Sequence, residues 1–464
     1  MSKKQKIWSL LQKNKLNLFV LLWFTLAWSW PLMSQATSIT LSPLLGHALA
    51  IIVIITNISI STTLLLCVFT YLDKIFKKQG KVLSLVTSLV VLAFTDFAVA
   101  WLTSLIWVGP GSKIDNILPL GSPALLLANT PLGFTSRIIG FYGLAAVFWL
   151  VVYLLFKNKI RLAFITTSFF VGLAVVSSIA WHSANGENIN VVIVSEYATD
   201  KVPTIDTNNV NLVVFPEYGL DNIDNTSLNK RLIKSGQKTL FVGSAGYNSN
   251  SSNGGHYNTL LFGNSIDGFT DRQDKYRLIP GGENLPYVGR IVLTALGQTE
   301  QITALDYNRR VIASKQRLEN FSDRDMTLGS GACSSILSPE DYRRFSKQGA
   351  TILTNSASLS IFTGSQVFAW QQQSLGKFMA VANARPFLQS ANSSTAYAID
   401  HTGRFVAQIR PTDSRVVTIQ NNTKKTPYTM LGEVLAISGG LYLLIDFCWH
   451  KITHKISKKR YTKN

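Results

Sequence analysis

The sequence predicts two parts of different fold class, a polytopic α-helical membrane domain and an α/β domain of roughly 230 residues. Three observations carry this. The 464-residue chain is 47% hydrophobic and only 15% charged, more apolar than a soluble protein of its length. The apolar residues concentrate in 16–181 and again near 428–448. From about residue 189 the pattern changes to short β-branched runs alternating with polar, helix-like stretches.

The runs 16–33, 44–71, 84–108, 135–156 and 161–181 each suit a hydrocarbon core ~30 Å thick, which needs roughly 20 helical residues. The run 44–71 is longer than needed and is expected to tilt or kink. The segment "ILPLGSPALLLANTP" (117–131) is short and contains Pro and Gly, so it reads as an interfacial or re-entrant loop. The basic N-terminus precedes its apolar run without a small-residue cleavage site and reads as a retained helix. A last run, within 428–448, is expected to close the set as a sixth span.

Charge sets the orientation. Lys and Arg cluster before the first span, at Lys74–Lys81, at Lys157–Arg161 and in the tail 449–464, while the loops between are nearly uncharged. This positive-inside pattern puts those segments in the cytoplasm and 182–427 on the far side. The expected organisation is therefore 1–181 transmembrane, 182–427 extracytoplasmic, 428–448 a closing span and 449–464 a basic cytoplasmic tail. The same clusters, with the adjoining Asp73, hold 18 of the 44 Lys and Arg and one of the 25 acids, so the rest of the chain carries 26 basic and 24 acidic residues despite a net charge of +19. A nucleic-acid partner, which needs a basic patch on the domain itself, loses its support.

In the outer part, "INVVIVSE", "VNLVVFPE", "QKTLFVGSAGY", "HYNTLLFG", "EQITALDYN" (300–308), "GATILTNSA" and "TAYAID" read as strand-like. "DNTSLNKRLIKSG" and "VFAWQQQSLGKFMAVANA" read as helices, and "YNSNSSNGGHY" as a loop. Of three cysteines, Cys67 and Cys448 fall in predicted spans, and only Cys333 lies in the outer part, where it has no intramolecular disulfide partner.

Three residues there could carry chemistry: Glu217 after its strand, Lys275 in "DKYRLIPGGENLPY" and Cys333 in "LGSGACSSIL". Singly, each has an ordinary reading, as a strand-end carboxylate, a surface lysine and a core thiol. Together they are chemically complete. A thiol attacks only as thiolate, a carboxylate can take its proton, and a lysine can stabilise both the thiolate and the oxyanion that follows. The six histidines are too scattered for a zinc motif, and "GPGSK" (109–113) lacks phosphate-loop spacing, so no metal and no cofactor is expected.

The order Glu, Lys, Cys resembles the nitrilase (carbon-nitrogen hydrolase) superfamily. "VVFPE" is similar to its glutamate strand, "DKYRLIPGGENLP" (274–286) to its lysine motif, "HYNTLLF" (256–262) to its Tyr-Asn stretch and "ANARPFLQSANSSTAYAIDHTGR" (382–404) to its last segment. Spans, outer domain and closing span together resemble the apolipoprotein N-acyltransferases. The resemblance implies an α-β-β-α sandwich, with Glu217 as general base, Lys275 as oxyanion stabiliser, Cys333 as nucleophile and Glu283 supporting the lysine. Tyr257 and Asn258 are expected to shape the core near the site. It further implies a bacterial inner membrane, a periplasmic catalytic domain, a membrane phospholipid as acyl donor and a lipoprotein amine as acceptor, through a thioester. Where the family usually has Tyr-Glu after the cysteine, this chain has Ser334 and Ser335. Such departures also suit a conjugal-transfer-associated relative acting on another amine or amide, or an envelope binding module.

Overall fold

The computed structural model describes residues 14–34, 43–195, 209–221, 238–248, 255–279, 282–309, 311–323 and 326–461. Its first half is helical: α1 (Lys15–Ala27), α2 (Trp30–Met33), α3 (Pro43–Lys78), α4 (Lys81–Leu105), α5 (Ala124–Leu127), α6 (Ser136–Phe156) and α7 (Ile160–Ala180). Five segments are long and apolar enough to cross a membrane: Lys15–Met33, Gly46–Lys78, Lys81–Leu105, Pro131–Phe156 and Ile160–Ala180. Their burial differs, and that places them. The Pro131–Phe156 span is 78% buried and forms the centre of the bundle, whereas Ile160–Ala180 is 28% buried and presents Phe164, Phe169, Val176 and Ile179 outward. Between α4 and α6, residues 117–131 form a mostly buried segment containing α5.

The second half holds two six-stranded sheets. One runs β12 (Ser414–Gln420), β1 (Asn188–Val194), β2 (Leu212–Val214), β3 (Leu240–Asn248), β4 (His256–Asn264), β5 (Gly268–Asp274). The other runs β11 (Phe405–Ile409), β10 (Ala396–Ile399), β9 (Phe387–Asn392), β8 (Ile352–Ser358), β7 (Met326–Ala332), β6 (Phe321–Asp323). Each sheet has a parallel trio, β1–β2–β3 and β7–β8–β9, edged by antiparallel strands. The trio strands are buried almost throughout, as expected for sheets covered on both faces. Helices α10 (Pro339–Lys347) and α11 (Gln366–Asn383) pack on the second sheet, and α11 also packs on α6. One continuous apolar core therefore runs from the bundle into the sandwich, through Phe141, Phe378, Phe387 and Tyr397.

Two expectations need correction. Residues 300–308 are not a strand but lie in α9 (Thr299–Arg309), which follows α8 (Tyr287–Ala295). The partly buried Ile302 and Leu305 are three apart, a helical spacing rather than the alternation of a strand. The closing span is also displaced. A short helix α12 (Pro427–Leu431) ends at Gly432, whose φ of +67° breaks the chain direction, and α13 (Val434–Tyr461) then continues through most of the segment read as a tail. It packs closely on α4: a Cβ on Gly439 would lie 1.9 Å from the Val90 carbonyl oxygen. It is not among the five helices above that meet the length and apolarity needed to span. The expected helix at 224–236 and most of the expected loop at 247–257 lie outside the described residues.

Candidate functional site

The site forms where strand ends from both sheets meet. Glu217 follows β2 after Phe215 and Pro216, and its backbone is held from the other sheet: its N–H donates to the Ala357 carbonyl (3.3 Å), and its carbonyl accepts from Asn392 Nδ2 (2.7 Å). Lys275 ends β5, its N–H bonded to the Asn258 carbonyl of β4 (2.7 Å). Cys333 ends β7 and starts a short 3₁₀ turn to Leu337. Its φ of +43° is uncommon for a residue with a side chain and aims the thiol away from the strand line. Gly331, two residues earlier, permits the tight turn: a Cβ there would come within 2.3 Å of the Tyr342 hydroxyl.

The side chains converge in a buried cluster. Lys275 is fully enclosed, and its Nζ donates to Glu217 Oε1 (3.2 Å) and Glu283 Oε1 (2.5 Å). Glu283 is fixed in turn by the Ile279 N–H on its other oxygen (2.7 Å). Asn258 Nδ2 donates to Glu217 Oε1 (2.5 Å), so this oxygen carries two donors. The Cys333 Sγ donates to the Ser358 carbonyl (3.5 Å), and the thiol lies close enough to the Glu217 carboxylate for each to influence the other's protonation. Asn355 Nδ2 donates to the Cys333 carbonyl (3.3 Å).

Electrostatics follow from burial and charge count. Burial pushes Glu217 above the ordinary glutamate range, and Glu283 adds to this, while Lys275 and the thiol contact oppose it. Burial alone would lower Lys275, but the two carboxylates outweigh it and hold the ammonium well above the usual lysine range. Burial and the Glu217 charge push the Cys333 thiol far up, so the resting thiol is protonated and needs a proton acceptor before it can attack.

The two serines after the cysteine act as ties. Ser334 Oγ donates to the Arg277 carbonyl (2.6 Å), joining the cysteine turn to the lysine segment, and Ser335 Oγ accepts from the Ala332 N–H (3.2 Å). Arg277, nearly fully buried, pairs with Asp341 and donates to the Asp115 carbonyl (2.6 Å). The lysine segment thus rests on the loop that follows α4, with Asn116 Nδ2 on the Leu278 carbonyl (3.1 Å) and the Tyr287 N–H on the Val108 carbonyl (2.8 Å). Sequence reasoning placed Asn258 near the site without seeing that it binds the carboxylate, and gave no role to Asn355 or Arg277. Tyr257 lies on the strand position before Asn258 and is only partly buried. Among the described residues, no group of three or more His, Cys, Asp or Glu is arranged to hold a metal ion.

The carbon-nitrogen hydrolase family model matches residues 180–428, more than half of the chain. The chain belongs to that family. Two curated relatives are similar in part: a Bordetella parapertussis protein given the provisional name apolipoprotein N-acyltransferase, 28% identical over 176 residues (36% of this chain, 31% of that one), and the apolipoprotein N-acyltransferase of Photobacterium profundum, 22% identical over 163 residues (35% and 30%). The match thus spans about a third of each relative's length. Among solved structures, a nitrilase-superfamily protein of Saccharomyces cerevisiae (14% identity, 51% of this chain, 93% of that chain) and a carbon-nitrogen hydrolase of Helicobacter pylori G27 (12%, 50% and 89%) superpose with a TM-score of 0.36 each. The two six-stranded sheets and the family match carry the fold.

Proposed function

We propose that this member of the family is a membrane-bound N-acyltransferase. It would move a fatty acyl chain from a phospholipid, through a thioester on Cys333, to the N-terminal amine of a lipoprotein. The observation that carries the reading is the convergence of Glu217, Lys275 and Cys333 from three strand ends of two sheets, beside the loop at the end of α4. The names of the partial relatives support the choice of acyl transfer over other chemistry of the family.

In the first half-reaction Glu217 takes the thiol proton as Sγ bonds to the ester carbonyl carbon. Lys275 keeps one N–H beyond the two given to carboxylates, and that donor stabilises the oxyanion. The carbon–oxygen bond then breaks, and the lysophospholipid alkoxide leaves with the proton from Glu217. In the second half the acceptor amine attacks the thioester, Glu217 removes an amine proton, and that proton returns to the departing thiolate. The membrane half would lie in the bacterial inner membrane with the sandwich on the periplasmic side.

The test is incubation of the full chain in a bilayer with phospholipid labelled in its acyl chain. A hydroxylamine-sensitive adduct, absent in Cys333→Ala, is expected, followed by transfer to a diacylated lipopeptide. No adduct with any phospholipid donor would overturn thioester chemistry. An adduct without transfer would overturn the lipoprotein acceptor and favour another amine.

A further inference from the structure

A second cleft, of about 300 Å³, opens between the segment containing α5 and the sandwich. Asn129, Thr130 and Phe134 line it from the bundle, and Lys377, Thr402 and Arg404 from the α/β part. It is not the thiol site. Asn392, at one end of β9, binds Glu217, while Phe387 at the other end pairs with Ile399, just before the turn that carries Thr402 and Arg404. A six-residue strand, about 17 Å, separates the two ends.

The cleft is cationic. Lys377 is half-buried and makes no hydrogen bond or ion pair with any described residue, and burial pulls its ammonium below the usual lysine range. Arg404 is exposed and pairs with Asp400 through Nε alone. Behind the wall, Arg137 is fully buried with its guanidinium over the Phe134 ring, and it donates to three carbonyl oxygens rather than to a carboxylate. The carboxylate at this place, Asp400, spends Oδ1 on its own turn, accepting from the Thr402 and Arg404 N–H groups and the Thr402 hydroxyl. Two cations, Lys377 and Arg404, thus line the cleft beside one acid whose Oδ1 is already spent, with the buried Arg137 behind them.

The surroundings identify the anion. Pro131 and Phe134 belong to a segment apolar enough to span a membrane, and Ser177 Oγ ties the end of α7 to the Phe134 carbonyl (2.7 Å). On that end of α7, Val175, Val176 and Ile179 are exposed. An apolar surface therefore reaches the mouth of a cationic cleft, the arrangement that receives acyl chains below a charged headgroup. We propose that this cleft binds the phosphate of an anionic phospholipid and so fixes the sandwich against the membrane surface, apart from the thiol site. The inference rests on the bundle crossing a membrane and is independent of what Cys333 does.

The test is titration of the full chain in detergent with dioleoylphosphatidylglycerol, read by native mass spectrometry. The double variant Lys377→Gln/Arg404→Gln, which changes one half-buried and one exposed side chain, is expected to weaken binding roughly tenfold. Both proteins carry Cys333→Ala so that acylation of the thiol cannot consume the lipid, and zwitterionic phosphatidylcholine should bind more weakly than phosphatidylglycerol. Unchanged binding in the double variant, or equal binding of phosphatidylcholine and phosphatidylglycerol, would overturn the assignment. Full displacement of the lipid by millimolar inorganic phosphate would overturn the lipid headgroup in favour of a free phosphate.

Discussion

Lys275 and Arg137 are both cations with no exposed surface, and the molecule treats them in opposite ways. Lys275 faces two carboxylates within 3.2 Å and lies next to a thiol that must lose a proton. Arg137 donates to the carbonyls of Val381, Ser177 and His401 (3.0, 3.0 and 2.9 Å), pinning α6 to the last turns of α11 and α7 and to the turn after β10. The ends of two helices offer it the negative pole of their dipoles. A buried charge surrounded by other titratable groups can exchange protons and so can do chemistry. A buried charge held by carbonyls can only hold elements together. Burial alone does not mark a catalytic cation; the protonation chemistry of its neighbours does.

The contrast can be broken at either residue. Lys275→Met should have the largest effect, lowering Cys333 acylation by roughly 10³-fold. It also strips the buried Glu217 carboxylate of its counter-charge, so stability should decline as pH rises and Glu217 is forced to ionise, which thermal unfolding at pH 5 and pH 8 would reveal. Arg137→Met should instead cost on the order of 3 kcal/mol of stability by stranding three carbonyls, with little change in acylation per folded molecule. Loss of acylation at full stability in that variant would erase the distinction.

Smaller effects sharpen it. Asn258→Ala removes one of two donors on Glu217 Oε1, so acylation should fall about tenfold and its acid limb should move to higher pH, as a carboxylate losing a donor is easier to protonate. In wild type that limb should already lie above the ordinary glutamate range, because the base must be ionised and burial raises it. An acid limb at ordinary glutamate values would contradict this. Ser334→Ala should be mildest, about 1 kcal/mol of stability from the lost bond to the Arg277 carbonyl, read by denaturant unfolding.

Much of this was legible in the sequence because its signals are local. Uncharged runs gave the five long apolar helices to within a few residues, except that α3 runs on through Lys74, Lys77 and Lys78, and β-branched runs gave β1, β2, β3, β4, β8 and β10. The misses share a cause. Residues 300–308 offer only Ile302 and Leu305 as a helical pair among mostly polar types, and α13 continues past its apolar stretch into basic residues that carry no apolar signal. Arg137 was passed over inside an apolar run, although a lone charge in such a run is a signal in itself. The pairing of Glu217 with Asn258 spans 41 residues and two strands, and no spacing rule encodes it.

The central claim is that Glu217 is the proton acceptor for the Cys333 thiol, and Glu217→Gln tests it most directly. The amide keeps an oxygen for Lys275 and Asn258, so the fold should survive, but it cannot accept the thiol proton. With labelled phospholipid in a bilayer, wild type should form the hydroxylamine-sensitive adduct, and Glu217→Gln, folded to the same extent, should form none on the same time scale. Adduct formation at the wild-type rate in Glu217→Gln would contradict the account.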